Sequence, residues 1–345
     1  MKPRSRPGNY RGSGKGVVTM TTVGRMAGVS QVTVSRALSD PSKVSPDTLR
    51  RIHEAIEATG YVPNAVAGAL ASRKSNLVTA LVPSITNIVY SSLLHGFADL
   101  MRQHGYQLMT SEIGFDLAQE QEVIATHLAR RPDGMLLTGI HHSPDARRML
   151  IAAGIPVVEV WDITETPIDC CVGFSHAEVG RFAAEFAQEA GYARAATVTA
   201  GDVRAMRRRD AFIQRFAAMG GPAPCRFDYP AGTATLGQGR AALADLIDRQ
   251  GFMAGVVFCS SDQYAHGILT EAMARGLRVP EDIAVIGFGD QVFAESTHPA
   301  MTTIRVDRDA LGKAAASALL ERFGNGQAGP ATIDVGFRLV RRQSA

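Results

Sequence analysis

Thr19–Arg36 reads TMTTVGRMAGVSQVTVSR, and its spacing predicts two short helices joined by a tight turn. Thr19 offers a hydroxyl to an exposed backbone N–H at the start of the first helix. Val23, Met26 and Ala27 recur at helical spacing and form a small apolar face. Gly28 ends that helix because it accepts a positive φ without steric penalty. Ser30 caps the second helix, whose buried face is Val34, Ala37 and Leu38. Gln31, Val32, Ser35 and Arg36 fall on the opposite side, with Thr33 in the same first turns. Gln can bond adenine bidentately, Arg can bond guanine, and Val can touch a thymine methyl. These five residues are candidate base contacts on a helix suited to the major groove. The same pattern alone would also describe a helical hairpin with a solvated face.

The flanking sequence separates the two readings. Ser45 caps a third helix over Pro46–Thr59, and Leu49, Ile52 and Ile56 close a small core above the first two. Ser45 and Thr48, with the N–H groups of that helix start, suit phosphate oxygens. Gly60 stops the helix, and Tyr61-Val62-Pro63-Asn64 leads into AVAGALASRKS. The runs AGVSQVTVSRAL, KVSPDTLRRI and GYVPNAVAGALASRKS resemble the headpiece and hinge of the LacI/GalR family of bacterial repressors, over about 55 residues without a gap. Two positions depart from that pattern. Thr22 stands where the family has an acidic residue, and Gly24 stands where Ala is usual, a change worth about 1 kcal/mol against a helix. The resemblance implies that Thr19, Ser30, Ser45 and Asn64 also lie along DNA. It implies that residues 64–76 form a hinge helix only on DNA, paired with a twin, with Leu70 wedged into a minor-groove step. A short Ala-rich segment carrying Gly68 is marginal as an isolated helix, which agrees.

Composition sets wider bounds. The chain has 345 residues, 46% of them hydrophobic, enough for two or three domains with large cores. No apolar run is long enough to span a membrane, and the N-terminus lacks the apolar stretch of a secretory signal, so a cytoplasmic protein is expected. Cys170, Cys171, Cys225 and Cys259 have no metal spacing and read as reduced structural thiols. The net charge of +3 divides into +8 over residues 1–74 and −5 over the remainder. A basic front on an acidic body is the footprint of a phosphate-binding module on a soluble carrier. Residues 1–18 read as a disordered basic tail. Its GSGKG is no nucleotide loop, because Asn9 occupies the place of the first glycine and Gly16 that of the Ser or Thr.

From Leu77 onward short apolar runs (LVTALVP, YQLMTS, GMLLT, IPVVEVW, AATVTA, AGVVFC, IAVIGF) alternate with amphipathic stretches near 90–104, 117–130, 143–153, 176–190, 206–219, 236–250, 262–276 and 309–323. Such alternation predicts parallel α/β sheets, here in two lobes. The resemblance implies the type I periplasmic-binding-protein fold with chain crossovers. The expected organisation is a tail (1–18), a helix-turn-helix headpiece (19–63), a hinge (64–76) and an effector-binding, dimerising body (77–345). The first lobe takes about 77–174 plus 304–331, the second about 175–303 plus 332–342. No heptad tail follows, so a homodimer is expected.

Ligands of parallel sheets bind at the carboxyl ends of the strands, here in the cleft between lobes. The strand ends supply Ser84 and Tyr90, Thr138, Glu159, Trp161 and Asp162, Ser261 and Asp262, and Asp290. Arg208, within RAMRRRDAF, falls at the family's effector-binding arginine. The acidic residue that often follows GF in the family is Gly289 here, with Asp290 one later. One aromatic plate, Trp161, with hydroxyls, carboxylates and a cation suits a sugar or sugar acid. GIPVVEVWD, VGFSH and VIGFGD resemble the gluconate-repressor branch, which makes gluconate the expected effector, with Arg208 supplying the charge. His141-His142 lacks further metal ligands and reads as a solvated loop or cleft-edge contact. Ser175 lacks a nucleophile elbow and reads as a helix cap. No catalytic residue, metal or cofactor is expected. The resulting expectation is a regulator, not an enzyme, whose affinity for pseudo-palindromic double-stranded operator DNA is switched by a metabolite. The alternative is a sugar-binding or sugar-processing protein that shares the two-lobed body.

Overall fold

A computed structural model describes residues 18–64, 74–325 and 331–345. Leu70, most of the expected hinge and residues 1–17 of the expected tail lie outside the described residues. The chain divides into two compact units, residues 1–75 and 76–345.

The first unit holds α1 (Met20–Ala27), α2 (Gln31–Ser39) and α3 (Pro46–Thr59). Each start is capped by a hydroxyl. Ser30 Oγ accepts from Thr33 N at 3.2 Å, and Ser45 Oγ from Thr48 N at 3.3 Å. Thr19 Oγ1 accepts from Thr22 N at 3.4 Å, and Thr22 Oγ1 accepts from Thr19 N at 3.3 Å. Thr22 therefore fills the third position of a capping box with a hydroxyl where a Glu or Gln is usual. Gly28 and Gly60 end α1 and α3 at φ 68° and 64°. Val23, Ala27, Val34, Ala37, Ile52, Ala55 and Tyr61 form the buried core. Met26, expected on that face, is 59% exposed. The buried arc of α1 is centred between Val23, Gly24 and Ala27, which leaves Met26 about 100° away. Gly24 lets α1 lie flush on the turn, since a Cβ there would stand 2.8 Å from the Val29 carbonyl oxygen.

The second unit contains two six-stranded sheets. The first sheet uses β1 (Leu77–Val82), β2 (Gln107–Glu112), β3 (Gly134–Thr138), β4 (Val157–Val160), β5 (Cys170–Gly173) and β11 (Ala331–Asp334), in the order β2-β1-β3-β4-β5-β11, all parallel. The second uses β6 (Ala195–Ala200), β7 (Cys225–Tyr229), β8 (Gly255–Cys259), β9 (Ile283–Phe288), β10 (Thr302–Arg305) and β12 (Arg338–Val340), in the order β7-β6-β8-β9-β10-β12. Only its last pair, β10 with β12, is antiparallel. The helices are α4 (Ile88–Gln103), α5 (Leu117–Leu128), α6 (Pro144–Ala153), α7 (His176–Glu189), α8 (Val203–Ala218), α9 (Leu236–Asp248), α10 (Asp262–Ala274) and α11 (Arg308–Asn325).

The chain crosses between lobes after β5, after β10 and after β11. The crossings fall a few residues from the positions read in the sequence. Thr302–Ile304 pairs with Ile286–Phe288 in the second sheet, and Ala331–Asp334 pairs with Cys170–Gly173 in the first. Gly336, at φ 66°, then turns the chain back to the second lobe. Among the described residues no helix is long and apolar enough to cross a membrane.

Candidate nucleic-acid interface and ligand cleft

On α2 the side chains of Gln31, Val32, Ser35 and Arg36 are exposed, and Thr33 is half-buried beside the cap. Val32 is 65% exposed although it is apolar and β-branched. Thr21 Oγ1 donates to Gln31 Oε1 at 3.1 Å, which steadies the amide at the start of the exposed face. Arg51 Nη1 donates to the Ala27 carbonyl at 3.1 Å and ties α3 to the end of α1. Thr19, Ser45 and Asn64 are also exposed.

Between the lobes of the second unit lies a cleft of about 170 Å³. Glu120, Thr138, His141 and Asp162 line it from the first lobe, and Asp202 and Arg204 from the second. Asp202 caps α8, its Oδ1 accepting from Arg204 N at 3.2 Å and Ala205 N at 3.1 Å. Three arginines then project from the first turns of α8. Arg204 Nη2 donates to the Tyr90 hydroxyl at 3.1 Å, while its Nη1 is buried without an acceptor. Arg207 Nη1 donates to both Asp162 oxygens at 3.0 Å, and its Nη2 to His141 Nε2 at 2.8 Å. Arg208 donates to His176 Nδ1 at 2.7 Å and to the Ser260 carbonyl at 3.1 Å, with its guanidinium 3.9 Å above the Phe288 ring.

Burial sets the charges here. It lowers the pKa of Arg208 to about 10 and raises that of Asp162, the latter partly offset by Arg207. Burial, then the nearby charge of Arg208, holds His176 well below the usual imidazole range. Arg208 can only donate, so His176 Nδ1 accepts, and Nε2–H donates to the Trp161 carbonyl at 2.8 Å. Burial would likewise keep His142 neutral, but Glu120 Oε1 at 3.0 Å and Glu159 Oε1 at 3.2 Å overturn that and lift it to about 9.

Of the residues singled out as effector contacts, Thr138 lines this cleft, and Tyr90 reaches it through Arg204. Ser84 follows the lining residue Pro83 and shares a hydrogen bond with Thr86. Trp161 is buried at φ 76°, its ring edge-on to Tyr90 and Phe174. Glu159 stands behind the wall, accepting from Ile168 N at 2.6 Å. Arg208 lies beneath the cleft on Phe288. Ser261 caps α10, and Asp262 accepts from Thr303 Oγ1 at 2.6 Å and Gln291 N at 2.7 Å, its pKa pushed by burial to about 6. Asp290 faces a second cavity of about 360 Å³, where it is ion-paired to Arg305 and Arg342.

Glu120 and Arg204 were not among the residues singled out in the sequence, and His142 was read there only as part of a solvated loop or cleft edge. His141 is at the cleft edge, but His142 is not solvated: its side chain is 1% exposed. A signal for Glu120 existed, since it shares a helical stripe with buried Ile124 and His127. A carboxylate at a core position of an amphipathic helix asks for a partner.

A helical head with an exposed polar face and a two-lobed body around a cleft of apolar and charged side chains define a class: DNA-binding regulators that carry a small-molecule-binding domain. Residues 19–64 match the family described as bacterial regulatory proteins, lacI family, and residues 184–345 match a periplasmic binding protein-like domain. The chain belongs to the LacI family of transcriptional regulators. It is 35% identical over 327 residues to the HTH-type transcriptional regulator GntR of Pseudomonas aeruginosa, covering 94% of this chain and 95% of that one. It is 30% identical to the GntR regulator of Escherichia coli, covering 90% and 94%. Among solved structures it is similar to a LacI-family regulator from Silicibacter pomeroyi, with TM-score 0.87, 30% identity, and 95% and 99% of the two chains covered. It is also similar to the lac repressor dimer bound to operator and the anti-inducer ONPF, with TM-score 0.82, 25% identity, and 95% and 98% covered.

Proposed function

We propose that this regulator is a homodimeric repressor released from a pseudo-palindromic operator by a sugar acid such as gluconate. The observation that carries the choice of effector is the buried Nη1 of Arg204, a residue that lines the cleft; among the described residues that atom has no acceptor. A carboxylate supplies the charged acceptor that a guanidinium is shaped to receive. On the DNA side, Gln31, Val32, Thr33, Ser35 and Arg36 read bases, and Thr19, Ser30, Ser45 and Asn64 follow the backbone. Two such helices enter successive major grooves, and paired Leu70 side chains open the central step. Effector binding changes the angle between lobes and disfavours the paired hinge. The test is a gel shift at fixed salt against the region upstream of the chain's own gene, with and without gluconate. Release by gluconate is the expected result. Binding indifferent to gluconate would discard the sugar acid, and absence of specific binding would discard the operator.

A further inference from the structure

A second residue lining the cleft carries a buried atom that has no partner among the described residues, of opposite polarity to the first. Glu120 lies on α5 in the first-lobe wall and is 3% exposed. Its Oε1 receives His142 Nδ1 at 3.0 Å, and its Oε2 is buried with no donor. The carboxylate is not free to turn away. His142 is wedged between Glu120 and Glu159, and Glu159 is fixed in turn by Ile168 N at 2.6 Å. Native proteins rarely leave a buried carboxylate oxygen unmet, because its desolvation is then uncompensated. A carboxylate only accepts, so what completes Oε2 must donate. Across the same cleft Arg204 Nη1 lacks an acceptor and can only donate. One wall therefore waits for a donor and the other for an acceptor.

We infer that the cleft fixes the direction of an acidic polyol, with its carboxylate on Arg204 and one particular hydroxyl on Glu120 Oε2. This rests on the sugar-acid reading above and adds which end of the molecule faces which lobe. His142 and Glu159 are positioning residues: they hold Glu120 in place and do not line the cleft. A ligand bound this way contacts both lobes at once, Glu120 from the first and Arg204 from the second. Recognition and lobe angle are thereby joined in one molecule.

The test is calorimetry on the full chain with D-gluconate, its uncharged amide and the series of monodeoxygluconates. In the wild type one deoxy position should weaken binding about ten- to hundredfold, the range for a hydrogen bond to a charged group. Glu120→Met removes the acceptor without adding a donor, which a Gln would not do because a hydroxyl can also accept from its N–H. The substitution should weaken gluconate by a similar factor and abolish the penalty at that one position only. Arg204→Met should remove the preference for gluconate over its amide. The assignment is overturned if Glu120→Met binds gluconate like the wild type or keeps every deoxy penalty; Oε2 then meets only water. Thermal melts report whether the variant is folded. If it is not, the wild-type series still decides, since no penalty at any deoxy position removes the contact. A wild-type chain that holds its operator but binds no gluconate would instead remove the sugar-acid reading, and this assignment with it.

Discussion

His142 and His176 are both buried, yet neighbouring charges drive them in opposite directions. His176 stays neutral because it is buried and because Arg208, beside it, occupies its one acceptor nitrogen. His142 stays protonated because Glu120 and Glu159 face its two nitrogens. Its pKa rises from the ordinary 6.5 to about 9. The folded chain therefore holds this proton where the unfolded chain releases it. The resulting stabilisation is complete below pH 6.5 and is lost as pH rises through about 9. Its size is on the order of a few kcal/mol. Thermal melts of the wild type and His142→Gln, compared between pH 6 and roughly 9.5, should converge as pH rises. A constant offset would mean that the imidazolium is not what is being lost. At the other end of the chain, Arg36 is exposed on α2. Arg36→Ala should relax discrimination at one base position by about 1–3 kcal/mol. A uniform loss over all operator variants would identify a phosphate contact instead.

At the scale of elements, α8 supplies Arg204 to the cleft wall, and α7 packs closely against α8. Gly180 of α7 lies so close to α8 that a Cβ there would stand 2.1 Å from the Arg208 carbonyl oxygen. Gly180→Ala should destabilise the body by about 1–3 kcal/mol through overpacking. It should also weaken effector binding, because the arginines of α8 move with their backbone; calorimetry on the folded variant checks this. No reading of residues 176–190 could have supplied that distance, since it belongs to a pair of helices. What was legible was local. The Ser45 cap, Pro46 and Gly60 bound α3 in the sequence as they do in the structure, because caps act within one turn. Helical periodicity likewise separated exposed Gln31, Val32, Ser35 and Arg36 from buried Val34 and Ala37. CCVG and CRFDY were not foreseen as strands: β5 has only four residues, and β7 is an edge with half-exposed, alternating side chains. In the cleft, the sequence pointed to Arg208 within RAMRRRDAF and passed over Arg204, four residues earlier. Which arginine is left without an acceptor depends on the opposite lobe, where Asp162 takes Arg207 while Arg204 Nη1 is buried and unmatched among the described residues.

At the scale of the whole molecule, charge separates two jobs and linkage rejoins them. Residues 1–74 carry a net +8 and the rest a net −5, so attraction to a polyanion is concentrated in the front of the chain. Operator affinity should therefore fall steeply with salt. If 6–10 phosphates are neutralised, it drops about 10³–10⁵-fold between 50 and 200 mM. In the proposed arrangement gluconate binding depends on one buried guanidinium and should change far less over the same range, because a buried contact is weakly screened. The two events nonetheless share one equilibrium. If gluconate lowers operator affinity by a factor within the usual range of about 5–150, saturating operator must lower gluconate affinity by the same total factor, shared between the sites of the dimer. Measuring gluconate affinity by calorimetry with and without operator, beside operator affinity with and without gluconate, closes this cycle. Equal factors at each salt concentration are expected, even as operator affinity itself falls by orders of magnitude. Unequal factors would mean that gluconate removes the chain from DNA by another route, such as association or partial unfolding, and not by shifting the lobes between two arrangements.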